Sequence, residues 1–103
     1  MRVIAIRALK ECWNKYPEIE NALRAWYQMA TKCGWQNHGQ LKSQINNASI
    51  LNARRVVFNI KGNSYRLIVD IEYRLQIIFI IWIGPHKEYD KIDAKKIGYG
   101  KTY

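Results

Sequence analysis

Acidic residues are missing from nearly half of this sequence: none occurs between Asn21 and Val69. Arg24, Lys32, Lys42, Arg54, Arg55, Lys61 and Arg66 all fall in that window, and the whole chain carries a net charge of +9. A field of one sign on so small a chain fits a polyanionic partner (RNA, DNA or an acidic protein segment) better than a generic solubilising surface. Cysteine is scarce too. Cys12 and Cys33 lack CxxC spacing, which excludes a disulfide framework and reads as reduced, buried thiols of a cytoplasmic protein. With His38 and His86 they could supply four ligands, but no pair has zinc-site spacing, so no metal is expected. The longest apolar run, Ile77–Ile83, falls far short of the roughly 20 residues of a membrane span. The N-terminal MRVIAIRALKECW carries Arg7, Lys10 and Glu11 where a signal peptide needs an apolar core, which argues against secretion by that route. Gly-rich phosphate loops, HExxH, GxSxG and paired carboxylates are all lacking. Nucleotide hydrolysis, zinc proteolysis and serine esterase chemistry therefore have little support, and no cofactor is expected.

What is present fits one folded domain over residues 1–103. Arg2–Ile6 is short and β-branched, a first strand. Leu9, Cys12, Trp13 and Tyr16 recur at helical spacing, and Ile19, Leu23, Trp26 and Ala30 continue an apolar stripe after Pro17. Pro17 ends one helix and opens another, giving a helical pair or one kinked helix. Residues 34–53 are polar and irregular, with a short helix expected at Gly39–Ile45. The period then changes to that of strands at Arg54–Ile60, Ser64–Ile71 and Leu75–Ile83, with Gly62-Asn63 at the first turn. These form an antiparallel meander whose last strand, apolar on both faces, is covered on both. From Pro85 a helix is predicted, with Lys95 and Lys96 in its last turn and Gly98 just beyond.

Alternation places Tyr65, Leu67, Val69 and Ile71 on one face of their strand, against the helices. Ser64, Arg66, Ile68 and Asp70 lie on the other. Arg66 thus leaves a rigid strand away from the helices, with Asn59 and Lys61 across the hairpin. Beyond the apolar run, His86, Tyr89 and Asp90 stand at i, i+3 and i+4, one face of a helix. An imidazole both accepts and donates protons near neutral pH, and Asp90 could orient it. A polar helix start with a half-buried tyrosine explains the same spacing. A basic face, a strand-mounted Arg and a proton-transfer group together suit RNA cleavage through the 2′-hydroxyl. That reaction needs a base, cations around the phosphorane and an acid for the 5′-oxygen.

The elements RVVFNIKGNSYRLIVDI (Arg55–Ile71) and FIIWIGPHKEYDKID (Phe79–Asp93), with their separation, closely resemble the HigB toxins of type II toxin–antitoxin systems, a branch of the RelE-like ribonucleases. The resemblance continues through Trp35, Leu41-Lys42 and Ala53-Arg54-Arg55, and weakly into the helices. It implies a RelE-like α/β (α+β) fold: a four-stranded antiparallel sheet with the helical pair on one face and a short C-terminal helix, in the order β-α-α-β-β-β-α. It also implies a ribosome-dependent endoribonuclease that cleaves mRNA, neutralised by a helix-turn-helix antitoxin of the HigA type. Carried over by position, Arg66 would stabilise the transition state, His86 would act as base or acid, and Tyr89 would stack or donate a proton. Asp90 would orient His86, while Lys42, Arg55, Lys61, Asn63 and Lys87 would contact RNA. Relatives often have Thr before this His; here it is Pro85, so no hydroxyl role applies. A non-catalytic RNA- or ribosome-binding module, or a subunit held only by an acidic partner, remains the alternative.

Overall fold

A computed structural model of the chain describes residues 1–98. The elements are β1 (Arg2–Ile4), α1 (Arg7–Lys15), a 3-10 turn (Pro17–Ile19), α2 (Glu20–Lys32), α3 (His38–Gln44), β2 (Ser49–Ile50), β3 (Arg55–Ile60), β4 (Tyr65–Glu72), β5 (Ile77–Pro85) and α4 (His86–Tyr89). Tyr16, at φ −127° and ψ 80°, lies outside the helical region, which a following proline disfavours, so α1 stops there. Asn37 starts α3 by accepting the Gln40 N–H on its side-chain oxygen at 2.9 Å.

The strands form one sheet of order β1-β5-β4-β3-β2. The β3–β4–β5 meander is antiparallel, as its alternating pattern predicts. Two expectations need correction. The sheet has five strands rather than four, because Ser49–Ile50 adds an edge strand to β3. It is also mixed rather than antiparallel, because β1 pairs parallel with β5 from Arg2↔Ile77 to Ile4↔Phe79. The chain between them runs through the helices and then β2, β3 and β4, so β5 is laid beside β1 only at the end of the meander. The first hairpin turns through Lys61 (φ 53°) and Gly62 (φ 64°), so the left-handed pair sits one residue earlier than the Gly-Asn signal places it.

The helices cover one face. Leu9, Leu23, Trp26 and Ala30 pack with Phe58, Leu67, Val69, Ile78 and Ile80, all buried. Tyr65, Leu67, Val69 and Ile71 all point into this core, as alternation in β4 requires. At its end the Tyr65 hydroxyl donates to Glu18 Oε1 at 2.6 Å. That bond lowers the pKa of the Glu18 carboxyl, while burial, first, and this same bond raise the Tyr65 phenol. On the opposite face Val57, Ile68, Ile81 and Ile97 form a smaller core.

Burial pushes the Cys12 thiol from 9.0 up to about 11 and the Tyr73 phenol from 10.0 up to about 12. Both groups hold their protons more tightly when folded. Their contribution is therefore complete below the unfolded values and is lost as pH rises through the folded ones. The thermal midpoint is expected to hold up to about pH 9 and to fall progressively above it, measurable by circular dichroism melts across that range; Cys12→Ala should flatten the first part of the decline.

Candidate active site on the open half of the sheet

The second sheet face is divided in two. One half is covered by the segment after α4, and Arg55 fixes it there. Arg55 Nε and Nη2 donate to the two carboxylate oxygens of Asp70 at 2.7 and 3.0 Å, while Nη1 donates to the Ala94 and Ile97 carbonyls at 2.8 and 2.6 Å. The residue is only 8% exposed, so the RNA contact expected of Arg55 is corrected: its guanidinium is enclosed and committed to protein acceptors. The predicted C-terminal helix is a single turn. The chain then tightens into bonds from the Lys91 and Ile92 N–H groups to the Glu88 and Tyr89 carbonyls. Residues 93–97 fold into a separate turn closed on the Asp93 carbonyl, whose end Arg55 holds.

The other half is left partly exposed by the described residues, and Arg66 lies on it. The pairing Asn59↔Arg66↔Gly84 crosses three strands, and the next row is Val57↔Ile68↔Trp82. A register shift between Ile68 and Val69 lets Ile81 and Trp82 together meet the small core on this face. Arg66 Nη1 donates to the Asn63 carbonyl at 2.8 Å, and Asn63 Oδ1 accepts from Asn59 Nδ2 at 3.2 Å. Among the described residues Arg66 has no carboxylate partner within ion-pairing distance, unlike Arg7, Arg24 and Arg55.

The chain passes directly from β5 into α4, and the His86 N–H donates to the Ser64 carbonyl at 2.9 Å, docking the helix start beside the first hairpin. Its single turn brings the predicted cluster together. His86 Nδ1 lies 3.0 Å from Asp90 Oδ2, and the Tyr89 ring sits 5.8 Å from the Arg66 guanidinium carbon. A carboxylate oxygen at that distance can accept an Nδ1–H of the ring. Both groups are exposed, at 48% and 59% of their side chains, so the pair adds little to the stability of the fold.

Of the remaining expected contacts, Asn63 bonds Arg66 and Lys87 adjoins His86, while the contacts of Lys42 and Lys61 lie elsewhere. Lys61 is exposed in the hairpin turn, with Nζ donating to the Glu18 carbonyl at 3.3 Å, and Lys87 is exposed on α4. Lys42 donates to the Asn46 and Ala48 carbonyls at 2.6 and 2.8 Å, which ties down the loop after α3. Asn59, Trp82 and Gly84 belong to the site by position and were not singled out from sequence as its members. Only for Asn59 did the hairpin give a signal.

A profile of the HigB toxins, described as the RelE-like toxic component of a toxin–antitoxin system, matches residues 19–92. The mRNA interferase toxin HigB of Escherichia coli K12 is 30% identical over 104 aligned residues, covering 98% of this chain and 99% of its own. The mRNA interferase HigB of Shigella flexneri matches to the same extent, and that of Escherichia coli O6:H1 is 27% identical over 89% of this chain. The chain belongs to the HigB toxin family. The matched segment runs from the end of the 3-10 turn through α4, so it includes Arg66, His86, Tyr89 and Asp90. It leaves β1 and α1 outside. As a HigB toxin the chain has an α+β, RelE-like architecture, here with a fifth edge strand. None of the helices among the described residues is long and apolar enough to cross a membrane.

Proposed function

We propose that this HigB family member is an mRNA interferase: it cleaves mRNA on the translating ribosome, in the cytoplasm, without a metal ion, and a helix-turn-helix antitoxin neutralises it. The observation that carries this reading is the meeting of Arg66, Tyr89 and the His86–Asp90 pair at the end of the sheet. The names of the relatives support the same activity.

Each step has a group suited to it. His86 Nε2 takes the proton of the 2′-hydroxyl as its oxygen attacks phosphorus. Arg66 faces the phosphorane, where a planar guanidinium meets two oxygens at once. The bond from phosphorus to the 5′-oxygen breaks, and that oxygen takes a proton from Tyr89 or from the imidazolium. The products are a 2′,3′-cyclic phosphate and a 5′-hydroxyl. Lys87, exposed on the same turn as His86, would neutralise a flanking phosphate, and Lys61 could join it only by leaving the Glu18 carbonyl.

His86→Ala is expected to slow single-turnover cleavage of ribosome-bound mRNA by about 10²–10⁴-fold with the thermal midpoint unchanged, because the side chain is exposed. A 2′-deoxynucleotide at the cut position should abolish cleavage in the wild type. Cleavage that survives the 2′-deoxy substitution would rule out this chemistry. Salt-sensitive ribosome binding without any cleavage would instead identify a binding module.

A further inference from the structure

Trp82 lies on the same sheet face as Arg66 and at the edge of the small core. It stands in the row next to Arg66, diagonal to it, because Arg66 pairs with Gly84 and Ile68 with Trp82. A β-carbon at position 84 would lie 2.7 Å from one atom of the Trp82 six-membered ring and 2.8 Å from the next. The indole therefore lies across the bare α-carbon of Gly84, in the space where a side chain directly opposite Arg66 would stand. Its ring centre is 6.3 Å from that of Tyr89, with the planes inclined at 47°, and Tyr89 in turn lies over Arg66. Trp82 is only half-buried: one side packs on the small core with Ile68 and Val57, and the rest stays accessible. The other three tryptophans lie on the opposite layer, Trp26 and Trp35 buried in the main core and Trp13 packed against it.

We infer that Trp82 stacks a nucleobase flanking the phosphate held by Arg66, and that it helps set which nucleotide is accepted there. An indole beside a cation that has no carboxylate partner among the described residues suits a nucleotide, with π-face on ring and phosphate on guanidinium. Gly84 is what makes the platform possible, since any side chain there would push the indole away from Arg66. This inference rests on the RNA-cleaving reading of the same site.

The test uses the full chain with ribosomes programmed by an mRNA library randomised at the cut codon, and sequences the new 5′ ends. Trp82→Phe, which keeps an aromatic face, should retain the wild-type nucleotide bias. Trp82→Leu, which fills the apolar space but cannot stack, should lose the bias at one flanking position and need about ten-fold more protein for half-cleavage. Gly84→Ala, which displaces the indole without removing it, should behave like Trp82→Leu. As a second readout, a short 2′-O-methyl RNA should quench tryptophan fluorescence in the wild type and fail to do so in Trp82→Phe. Trp82→Leu cutting the same positions at the wild-type rate, or quenching that persists in Trp82→Phe, would overturn the inference while leaving the activity standing. A wild-type protein that leaves the library intact would overturn the activity and this inference with it.

Discussion

Arg66→Ala will lower the rate of RNA cleavage by about 10²–10³-fold, the usual loss when one preorganised donor to a developing oxyanion is removed. The melting temperature should barely move, because Arg66 has no carboxylate partner among the described residues and its hydrogen bonds go to two neighbouring carbonyls in the first hairpin. Arg66→Lys separates charge from geometry. Lysine keeps the charge but loses the planar fork that meets two phosphate oxygens together, so it should restore only part of the rate. In cells the same order should appear as relief of growth arrest, strongest for alanine. If Arg66→Ala cleaves like the wild type while folded, the open face is not where the phosphorane is stabilised.

Arg55→Ala should have the largest effect on stability. It leaves the Asp70 carboxylate without its bidentate partner and frees the two carbonyls that hold residues 94–97 on the sheet. Breaking an enclosed ion pair on one side costs about 3–5 kcal/mol, which for a domain of this size lowers the melting temperature by roughly 15–25 °C. The double replacement Arg55→Met with Asp70→Leu removes both charges and should recover much of that loss. It does not restore the ties to Ala94 and Ile97, so the segment following α4 should remain loosened and activity should stay below wild type. Thermal melts and cleavage rates on the same three proteins check this. Equal melting temperatures for Arg55→Ala and wild type would contradict the structural role assigned to Arg55.

Arg55 also shows where sequence reading stops. As one cation in a basic window it is indistinguishable from Arg54 or Lys61, yet its burial depends on Asp70, fifteen positions away, and on carbonyls about forty positions away. Those partners are fixed by strand register and by the path of the C-terminal segment, neither of which has a local signal. The parallel pairing of β1 with β5 was hidden for the same reason. Alternation identifies a strand and its buried face but not which strand lies beside it. By contrast, the two faces of β4 were legible residue by residue, because Tyr65, Leu67, Val69 and Ile71 must share a side whatever the register. The spacing of His86, Tyr89 and Asp90 was legible too, since one helical turn suffices to gather them. The place of Trp82 was not: it depends on a bulge in β5 and on the missing side chain of Gly84.

Mapping transcript 5′ ends, with their end chemistry, after inducing the protein in growing cells is the most direct test of the proposed activity. Induction of the wild type should produce new 5′-hydroxyl ends within translated regions, absent when translation initiation is blocked and absent with Arg66→Ala. Growth arrest with unaltered transcript ends, or new ends carrying 5′-phosphates, would contradict it.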